Sequence, residues 1–421
     1  MRTPRHHTFL RCALGATAAS LAAAAAATAQ VASDTPAALV VYPHIAFDSA
    51  QGIDTVVQLS NTADTPITAL CVYEKAERFC GTAVFKVRLT QGQPLAWRAG
   101  SGLSGFPLDG VDRSGPLGQS NQGSFIPRVS GDPFEGSLLC SGFDETSHLP
   151  LGLNVLTGNA TVERFVSGGT PPFDAAAYNA VGIRALPDAT INDRTLVLGG
   201  ASGSHVACPQ AVNVIHLLDG AIEPVAKAST VSTRLIVVPC TQDLVHLPEH
   251  DIALQLDVTN EFEQHLATGH INHGCEQPGA MSTLDTTNPT RSIFSASVSG
   301  TLSAQSRLSA NGAALGVLVV GIETHQDMSD PTQTHRAMFN APTQGSPVDP
   351  DVLVLPDLPL PCAGDCNSDR QVTIDELLRC VNIGLATSPV GTCPACDADN
   401  GGSVTVEEII AGVNNALAGC P

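Results

Sequence analysis

One carboxylate-rich stretch occurs twice near the C-terminal end of the chain. Residues 364–378 read GDCNSDRQVTIDELL, and residues 396–410, 32 positions further on, read CDADNGGSVTVEEII. Calcium takes six to eight oxygen ligands, and calcium-binding loops supply them from positions 1, 3, 5, 7, 9 and 12. Because both copies place oxygen-bearing residues at this spacing, we expect two small calcium sites with equivalent ligands.

The twelve-residue count assigns a set of ligands to each copy. In the first copy the set is Asp365, Asn367, Asp369, the Gln371 carbonyl, Thr373 through a water, and Glu376. In the second copy it is Asp397, Asp399, the Ser403 carbonyl, Thr405 and Glu408, with Gly401 at position 5. Gly401 offers no side chain, and Arg370 replaces the glycine expected at position 6. We therefore predict weak Ca²⁺ sites, with dissociation constants on the order of 0.1 to 1 mM.

Each loop runs into a segment with helical periodicity. Four apolar residues share one face of each predicted helix: Leu377, Leu378, Val381 and Leu385 in the first, and Ile409, Ile410, Val413 and Leu417 in the second. Neither helix alone buries enough apolar surface to be stable. We predict that the two faces pack together as one core, with Val372 and Val404 forming a short β contact between the loops.

The tail, from about residue 360 to residue 421, resembles a type I dockerin, a module of two EF-hand-like loop–helix repeats. The segments before the two loops, LPDLPLPCAG and ATSPVGTCPAC, are interrupted by proline and glycine, so the entering helix of a calmodulin-like EF-hand is missing. The resemblance implies calcium-dependent folding and docking onto a cohesin-like domain or another extracellular protein. The six tail cysteines depart from the family pattern, since dockerins generally do without them.

The N-terminus has the pattern of a secretory signal peptide. Arg2, Arg5 and Arg11 precede an alanine-rich apolar stretch that ends in a small-residue cleavage motif at 27–29. We therefore predict a signal peptide over residues 1–29 and a secreted protein with an extracellular, cell-surface or periplasmic location. A membrane anchor is disfavoured because the stretch is weakly hydrophobic, and the next apolar run, residues 314–322, is too short to span a bilayer.

The chain is strongly acidic, which excludes some classes of partner. It carries 40 acidic and 20 basic side chains, and cleavage after residue 29 removes three arginines and no acid, leaving 17 − 40 = −23. A surface of this charge repels phosphate backbones and anionic lipids. We expect no nucleic-acid partner and no membrane span.

The cysteine count favours disulfides. Twelve cysteines remain after signal cleavage, an even number in an exported chain. Within the body we predict a hairpin staple between Cys71 and Cys80. An alternative for the tail is a zinc site with four thiolates from Cys362, Cys366, Cys393 and Cys396, which the exported context makes less favourable than disulfides.

The body before residue 346 has the pattern of β structure. Runs such as ALVVYPHI, DTVVQLSN and DIALQLDVTN are rich in β-branched residues and are separated by turn residues. Similar runs recur in the same order: LVVYP precedes TVVQLSNT as LIVVP precedes ALQLDVTN. We predict an all-β body of two related, Ig-like β-sandwich domains and a small C-terminal α domain.

The predicted organisation has five parts. After the signal peptide come a first sandwich at 33–225, with an insertion near 150–225, and a second sandwich at 226–345. A proline-rich extended linker at 346–363 then leads to the calcium-binding module at 364–421. Within the insertion, FDAAAYNAVGI has the composition of a short helix.

No catalytic motif is evident in the body. It lacks a P-loop, a paired-glycine fingerprint and a G-x-S-x-G elbow. The histidines at 246, 250, 265, 270 and 273 do not match a zinc-protease spacing, and we expect them in solvated loops. The chain has one tryptophan, and its position in LAWRAG favours the core over a sugar-binding platform.

These observations favour a secreted, non-catalytic protein that is tethered or docked in an extracellular or cell-surface assembly. One alternative is a secreted, polysaccharide-degrading hydrolase that uses the tail as an address. Another is a tail that serves only as a calcium-stabilised cap with no partner.

Overall fold

The computed structural model describes residues 31–420 except residue 93, residue 188 and the segments 104–125, 166–171, 248–250, 286–290, 312–315, 346–349, 358–361, 367–370 and 399–401. The predicted signal peptide, residues 1–29, lies outside the described residues. In the described part of the chain, no helix has the length and apolar character needed to cross a bilayer.

Strands make up most of the described body. In chain order they are β1 (Leu39–Phe47), β2 (Ile53–Asn61), β3 (Ile67–Lys75), β4 (Thr82–Leu89), β5 (Pro94–Arg98), β6 (Phe134–Asp144), β7 (Leu149–Pro150), β8 (Leu156–Arg164), β9 (Asp174–Asn179), β10 (Val181–Ile183) and β11 (Thr195–Leu198). They continue with β12 (Ala211–Leu217), β13 (Ala221–Ile222), β14 (Ser229–Pro239), β15 (Gln242–Asp243), β16 (Asp251–Asn260), β17 (His265–His273), β18 (Ser303–Asn311), β19 (Val317–Asp327), β20 (Thr334–Asn340), β21 (Thr343–Gln344) and β22 (Asp351–Val354).

Helices are short and concentrated in the tail. The described body holds α1 (Ala296–Ser299) and a 3-10 turn at Met281–Thr283. The C-terminal module holds α2 (Ile374–Gly384) and α3 (Val406–Ala418), with 3-10 turns at Val390–Thr392 and Pro394–Cys396. The prediction of a β-rich chain is therefore confirmed.

The described strands form five sheets, which is the number of blades in a five-bladed β-propeller. Two Ig-like sandwiches would instead form two pairs of facing sheets. The prediction of two related Ig-like β-sandwich domains is therefore wrong. The first sheet has the order β10-β1-β6-β3-β4, with β7 beside β6, and the second has the order β11-β22-β15. The third is β17-β16-β18-β12-β21, the fourth is β13-β14-β19-β20, and the fifth is β5-β2-β8-β9. Strands far apart in the sequence are thus neighbours in one sheet.

The first sheet explains why the sandwich prediction fails. An Ig-like sandwich leaves the outer face of each sheet in water, but the central strands here are buried on both faces. In β3, Ala69 and Cys71 pack into a cluster shared with the fifth sheet, whereas Leu70 and Val72 pack into a second cluster. That second cluster contains Val238 and other residues of the second and fourth sheets. The body is consequently held together by cores that continue across its predicted halves.

The predicted domain boundaries also fall inside sheets. β12 lies before residue 225, yet it pairs along its length with β18 of the second predicted domain. Within the predicted linker, β22 pairs with β11 and β15, and Leu353 is buried. In the predicted insertion, FDAAAYNAVGI forms β9 and β10 rather than a helix, and burial alternates along β9, with Ala176 and Tyr178 buried and Ala175 and Ala177 exposed.

The disulfide pairing in the body differs from the prediction. The structure joins Cys71 to Cys140, Cys80 to Cys275 and Cys208 to Cys240. The predicted Cys71–Cys80 staple is wrong because the β3–β4 pairing sets Cys71 opposite Phe85, and Cys80 lies in the turn. Cys71 is instead the direct cross-strand neighbour of Cys140 on β6.

Trp97 lies in the core, as its sequence context indicates. Its indole is 3% exposed, and its Nε1–H donates a hydrogen bond to the Tyr73 hydroxyl at 2.7 Å. The ring also meets Phe85 edge-on. This arrangement satisfies the one polar atom of the buried indole.

Candidate calcium centre and docking face

Both tail helices begin with the same reciprocal cap. The Thr373 side chain accepts a hydrogen bond from the Glu376 amide, and the Glu376 carboxylate accepts from the Thr373 amide at 2.7 Å. Thr405 and Glu408 repeat the arrangement at α3, with a corresponding distance of 2.8 Å. The T-x-x-E signature of a capping box is visible in the sequence at both places. These caps define where each loop ends and each helix begins.

The first loop brings the glutamate at position 12 back to its start. Glu376 Oε1 accepts a hydrogen bond from the Cys366 amide at 3.1 Å, next to Asp365. Both Glu376 and Asp365 are buried, whereas Gln371 is exposed. The Glu376 carboxylate therefore links the start of the loop to the start of α2.

The second loop folds around its first residue. Asp397 Oδ2 accepts a hydrogen bond from the Gly402 amide at 2.8 Å, which closes the turn across the loop. Gly402 has a positive φ of 80°, a conformation that glycine adopts without strain. Asp397 and Glu408 are buried, and Ser403 is exposed.

The structure describes part of each predicted ligand set. Asp365, Gln371, Glu376, Asp397, Ser403 and Glu408 are described, whereas Asn367, Asp369 and Asp399 lie outside the described residues. The four described carboxylates are between 4% and 9% exposed. Burial of so many carboxylates in a small module is costly unless cations or donors offset it. An all-oxygen donor set of this kind fits calcium.

The two helices pack antiparallel. The Leu377 side chain, early in α2, lies against Gly412 in the middle of α3, and Gly384 at the end of α2 lies against Ile409 early in α3. The Asn415 amide side chain also donates to the Ala363 carbonyl at 3.0 Å, which ties α3 to the start of the first loop.

The predicted helix–helix core is wrong in most of its members. The buried cluster of the module is instead Cys366, Cys380, Ile383, Cys393, Cys396 and Val404, with Val390, Ala395 and Ile409 partly buried against it. Three disulfides join Cys362 to Cys420, Cys366 to Cys393 and Cys380 to Cys396. Half-cystines therefore occupy the core positions that were predicted for the leucine, isoleucine and valine side chains of the two helices. The four-thiolate set that includes Cys362 is likewise wrong.

The apolar residues displaced from the core form an exposed surface. We call it the apolar face, and its members are Ile374, Leu378 and Val381 on α2, Leu385 at the C-cap of α2, and Val406, Ile410, Val413 and Leu417 on α3. The members other than Val381 are between 39% and 84% exposed. Each α3 member is 32 positions after its α2 counterpart, so the two stripes are copies of each other.

The two stripes occupy equivalent positions on the two helices. On each helix, stripe residues follow the contact residues by one position, as Leu378 follows Leu377 and Ile410 follows Ile409, which is a rotation of about 100°. Each stripe therefore lies beside the contact between the helices and not within it.

The histidines of the body form no metal site among the described residues. His265, His270 and His273 lie on β17 rather than in loops, and successive strand residues point to opposite faces. His273 Nδ1 lies 3.0 Å from Asp251, and His246 Nδ1 lies 2.8 Å from Asp243. None of them belongs to a described group of three ligand atoms close enough to share an ion. His250 lies outside the described residues.

One open cleft in the body carries carboxylates and aromatic rings. It has a volume of about 390 Å³, and its lining includes Phe47, Asp48, Asp54, Arg98 and Phe165. Arg98 lies 2.7 Å from Glu163 and stacks over the Phe165 ring at 5.2 Å. Burial raises the pKa of Asp54, while hydrogen bonds from the Gly100 and Thr55 amides oppose that shift.

Two ionisable side chains lie deep between the sheets with opposite shifts. Burial raises the pKa of Glu74 to about 7, although Gln242 donates to its carboxylate at 2.9 Å and Ser137 at 3.3 Å. Burial lowers the pKa of His44 to about 4, although Glu135 lies 3.6 Å from its Nδ1.

Comparison with known proteins assigns no family. No protein-family model matches the chain, and no curated protein matches it. A glycosyl hydrolase family 2 member from Bacteroides cellulosilyticus is 6% identical, covers 85% of this chain and 38% of its own, and has a TM-score of 0.13. The CupB6 tip adhesin from Pseudomonas aeruginosa is 9% identical, covers 76% of this chain and 94% of its own, and has a TM-score of 0.14.

These likenesses are too weak to argue from. The chain spans well under half the length of the hydrolase that it matches. Neither TM-score indicates a shared fold, and neither protein's activity is carried over to this chain.

Proposed function

We propose that this is an exported, non-catalytic binding protein whose C-terminal module binds Ca²⁺ and docks onto a protein partner. The observation that carries the proposal is the apolar face. A small module normally buries its apolar helix positions, and contiguous exposed apolar patches of this kind mark interaction sites. Here seven of the eight face positions are exposed, and the positions repeat in register on the two helices.

Calcium has a defined place in this proposal. Asp365, Asn367, Asp369, Gln371 and Glu376 would hold one ion, and Asp397, Asp399, Ser403 and Glu408 would hold the other. The closing glutamates are also the N-cap partners of α2 and α3. Because the same carboxylate serves both the loop and the helix start, ion binding fixes the orientation of the helix that carries each stripe.

The partner that this face fits is an extracellular domain with an apolar patch and a basic rim. The module from residue 362 to residue 421 carries eight acidic side chains and two arginines. Asp375 and Glu407 are exposed in the first turns of the helices, beside the apolar face. Complementary charge on the partner would steer association and set its orientation. Cohesin-like domains are the first candidates because of the dockerin resemblance.

A binding assay with immobilised cohesin-like domains and extracellular proteins of the source cells tests this proposal. The wild-type chain should bind in millimolar calcium and be released by EGTA. A Leu378→Asp/Ile410→Asp variant, which changes one residue in each stripe, should lose binding while keeping its helices. Equal retention of the variant, or retention unaffected by EGTA, would count against docking through this face.

A second candidate function rests on the cleft around Asp54. Its carboxylates and phenylalanine rings are the groups that a hydrolase of polysaccharides would use, with Asp54, whose pKa is raised by burial, as the general acid. The tail would then target the enzyme to its place of action. Hydrolysis of a polysaccharide panel that is lost in Asp54→Asn, but kept in the Leu378→Asp/Ile410→Asp variant, would favour this alternative.

A further inference from the structure

The tail places two disulfides side by side in its core. They are Cys366–Cys393 and Cys380–Cys396, and the four Sγ atoms all lie within 4.8 Å of one another. All four residues are buried, with exposed fractions of 0–4%. The third tail disulfide, Cys362–Cys420, does not belong to this group of four.

The four cysteines come from different parts of the module. Cys366 is in the first loop and Cys380 is in α2. Cys393 precedes the 3-10 turn Pro394–Cys396 and Cys396 ends it, so these two cysteines have the spacing C-x-x-C. Structural zinc sites take four cysteine or histidine ligands, and a C-x-x-C turn commonly supplies two of them. The chain therefore presents the components of a zinc site, with its sulfurs paired in disulfides.

Zinc bound by four thiolates is tetrahedral, with Zn–S distances of about 2.3 Å, which sets the sulfurs about 3.8 Å apart. Sulfurs already within 4.8 Å of one another require little backbone movement to reach that geometry. We propose that Cys366, Cys380, Cys393 and Cys396 form a four-thiolate zinc site when the chain is reduced, so that one ion replaces two disulfides.

The exchange balances with a dithiol as reductant. Each disulfide takes up two electrons and two protons from a dithiol, which is itself oxidised to a disulfide. The four resulting thiols release four protons as they bind one Zn²⁺. The calcium loops do not compete for this ion in the same way, because zinc favours thiolates and calcium favours oxygen ligands.

The site has a structural role. Apart from the four half-cystines, the buried cluster of the module contains Ile383 and Val404, which is too little apolar surface to hold two short helices. A zinc ion would keep the same four positions joined in the reduced chain. The proposal concerns this redox form and does not depend on calcium binding or docking.

Zinc-protected alkylation of the full chain tests the proposal without any substitution. The chain is reduced with dithiothreitol, desalted without oxygen, given one equivalent of Zn²⁺ and treated with iodoacetamide. Mass spectrometry should show Cys366, Cys380, Cys393 and Cys396 protected, with Cys362 and Cys420 alkylated. Protection of none of the six, or of all six equally, would overturn the proposal.

Cobalt binding supplies an independent readout with a matched control. Reduced wild type should show the absorption bands of tetrahedral cobalt thiolate at one Co²⁺ per chain, and Zn²⁺ should displace them. Cys380→Ser should lose the bands, whereas Cys362→Ser/Cys420→Ser should keep them. Bands that persist in Cys380→Ser, or that disappear in the Cys362→Ser/Cys420→Ser control, would show that these four cysteines are not the site.

Discussion

The body and the tail achieve stability by different means. The body spreads three disulfides over several hundred residues and buries three large apolar clusters between its sheets. The tail places three disulfides within 60 residues, and its core consists largely of the half-cystines themselves. In the tail, covalent bonds free the apolar helix residues from core packing, and those residues are then available at the surface.

The largest expected change in stability comes from the body's core. Leu138 is fully buried between sheets. Truncation in Leu138→Ala should destabilise the body by about 2 to 5 kcal/mol, through lost transfer energy and a cavity. Denaturant unfolding followed by Trp97 fluorescence measures this effect. Hydrogen exchange in α2 and α3 should not change, and faster exchange there would show that the two regions are not independent.

Removal of a tail disulfide should have a nearly comparable effect, confined to the tail. Cys380 and Cys396 close a loop of 16 residues. In Cys380→Ala/Cys396→Ala the lost constraint should lower the free energy of unfolding by about 3 kcal/mol. This is a large fraction of the total stability of such a small module. Hydrogen exchange in α2 and α3 should accelerate strongly. Cys208→Ala/Cys240→Ala is the control, and it should leave the tail helices protected.

The pH dependence of body stability should reveal two opposing ionisations. The raised pKa of Glu74, about 7 in the folded state against 4.5, makes stability fall as pH rises between those values. The lowered pKa of His44, about 4 against 6.5, makes stability fall as pH drops between those values. Each slope is about 1.4 kcal/mol per pH unit at most. The two should therefore cancel between pH 4.5 and 6.5.

Glu74→Gln should leave only the pH dependence of stability that His44 contributes. The variant keeps a hydrogen-bonding side chain but cannot ionise, so its stability should rise with pH from about 4 to 6.5 and should exceed that of wild type near pH 8. Urea unfolding of the variant and of the wild type at several pH values measures the rise of stability with pH and the difference near pH 8. A variant whose pH profile matches that of wild type would show that Glu74 does not titrate in this range.

The smallest stability effect should come from the apolar face. Leu417 is 84% exposed. Leu417→Ser should change tail stability by less than about 0.5 kcal/mol, as surface substitutions generally do. Hydrogen exchange of the tail amides in wild type and variant measures this change in stability. A loss of more than 1 kcal/mol would mean that Leu417 is packed in solution and that the face is not free for a partner.

The contrast between the regions also explains what the sequence could reveal. The helix positions of the tail are local features, and the apolar residues at helical spacing after each loop predict α2 and α3 correctly. Which apolar positions are buried is not local. It depends on Cys366, Cys380, Cys393 and Cys396 meeting in the core, and the sequence allows 15 pairings of six cysteines.

In the body, strand composition predicts β structure, but it does not determine how sheets are arranged. β1 pairs with β6 as β14 pairs with β19, and β2 pairs with β5 as β16 pairs with β18, yet the strands do not form two separate sandwiches. Whether a sheet is buried on one face or two depends on contacts between distant segments. The run ITALCVY in β3, apolar except for Thr68, is the local sign of two-sided burial.

Calorimetric titration of the chelator-treated full chain with calcium shows whether the two tail loops bind the ion. We expect heat of binding with dissociation constants on the order of 0.1 to 1 mM. Glu376→Gln/Glu408→Gln should abolish this heat without loss of the disulfides. Absence of heat in the wild-type chain, or equal heat in the wild-type and variant chains, would contradict a calcium site built on these two loops.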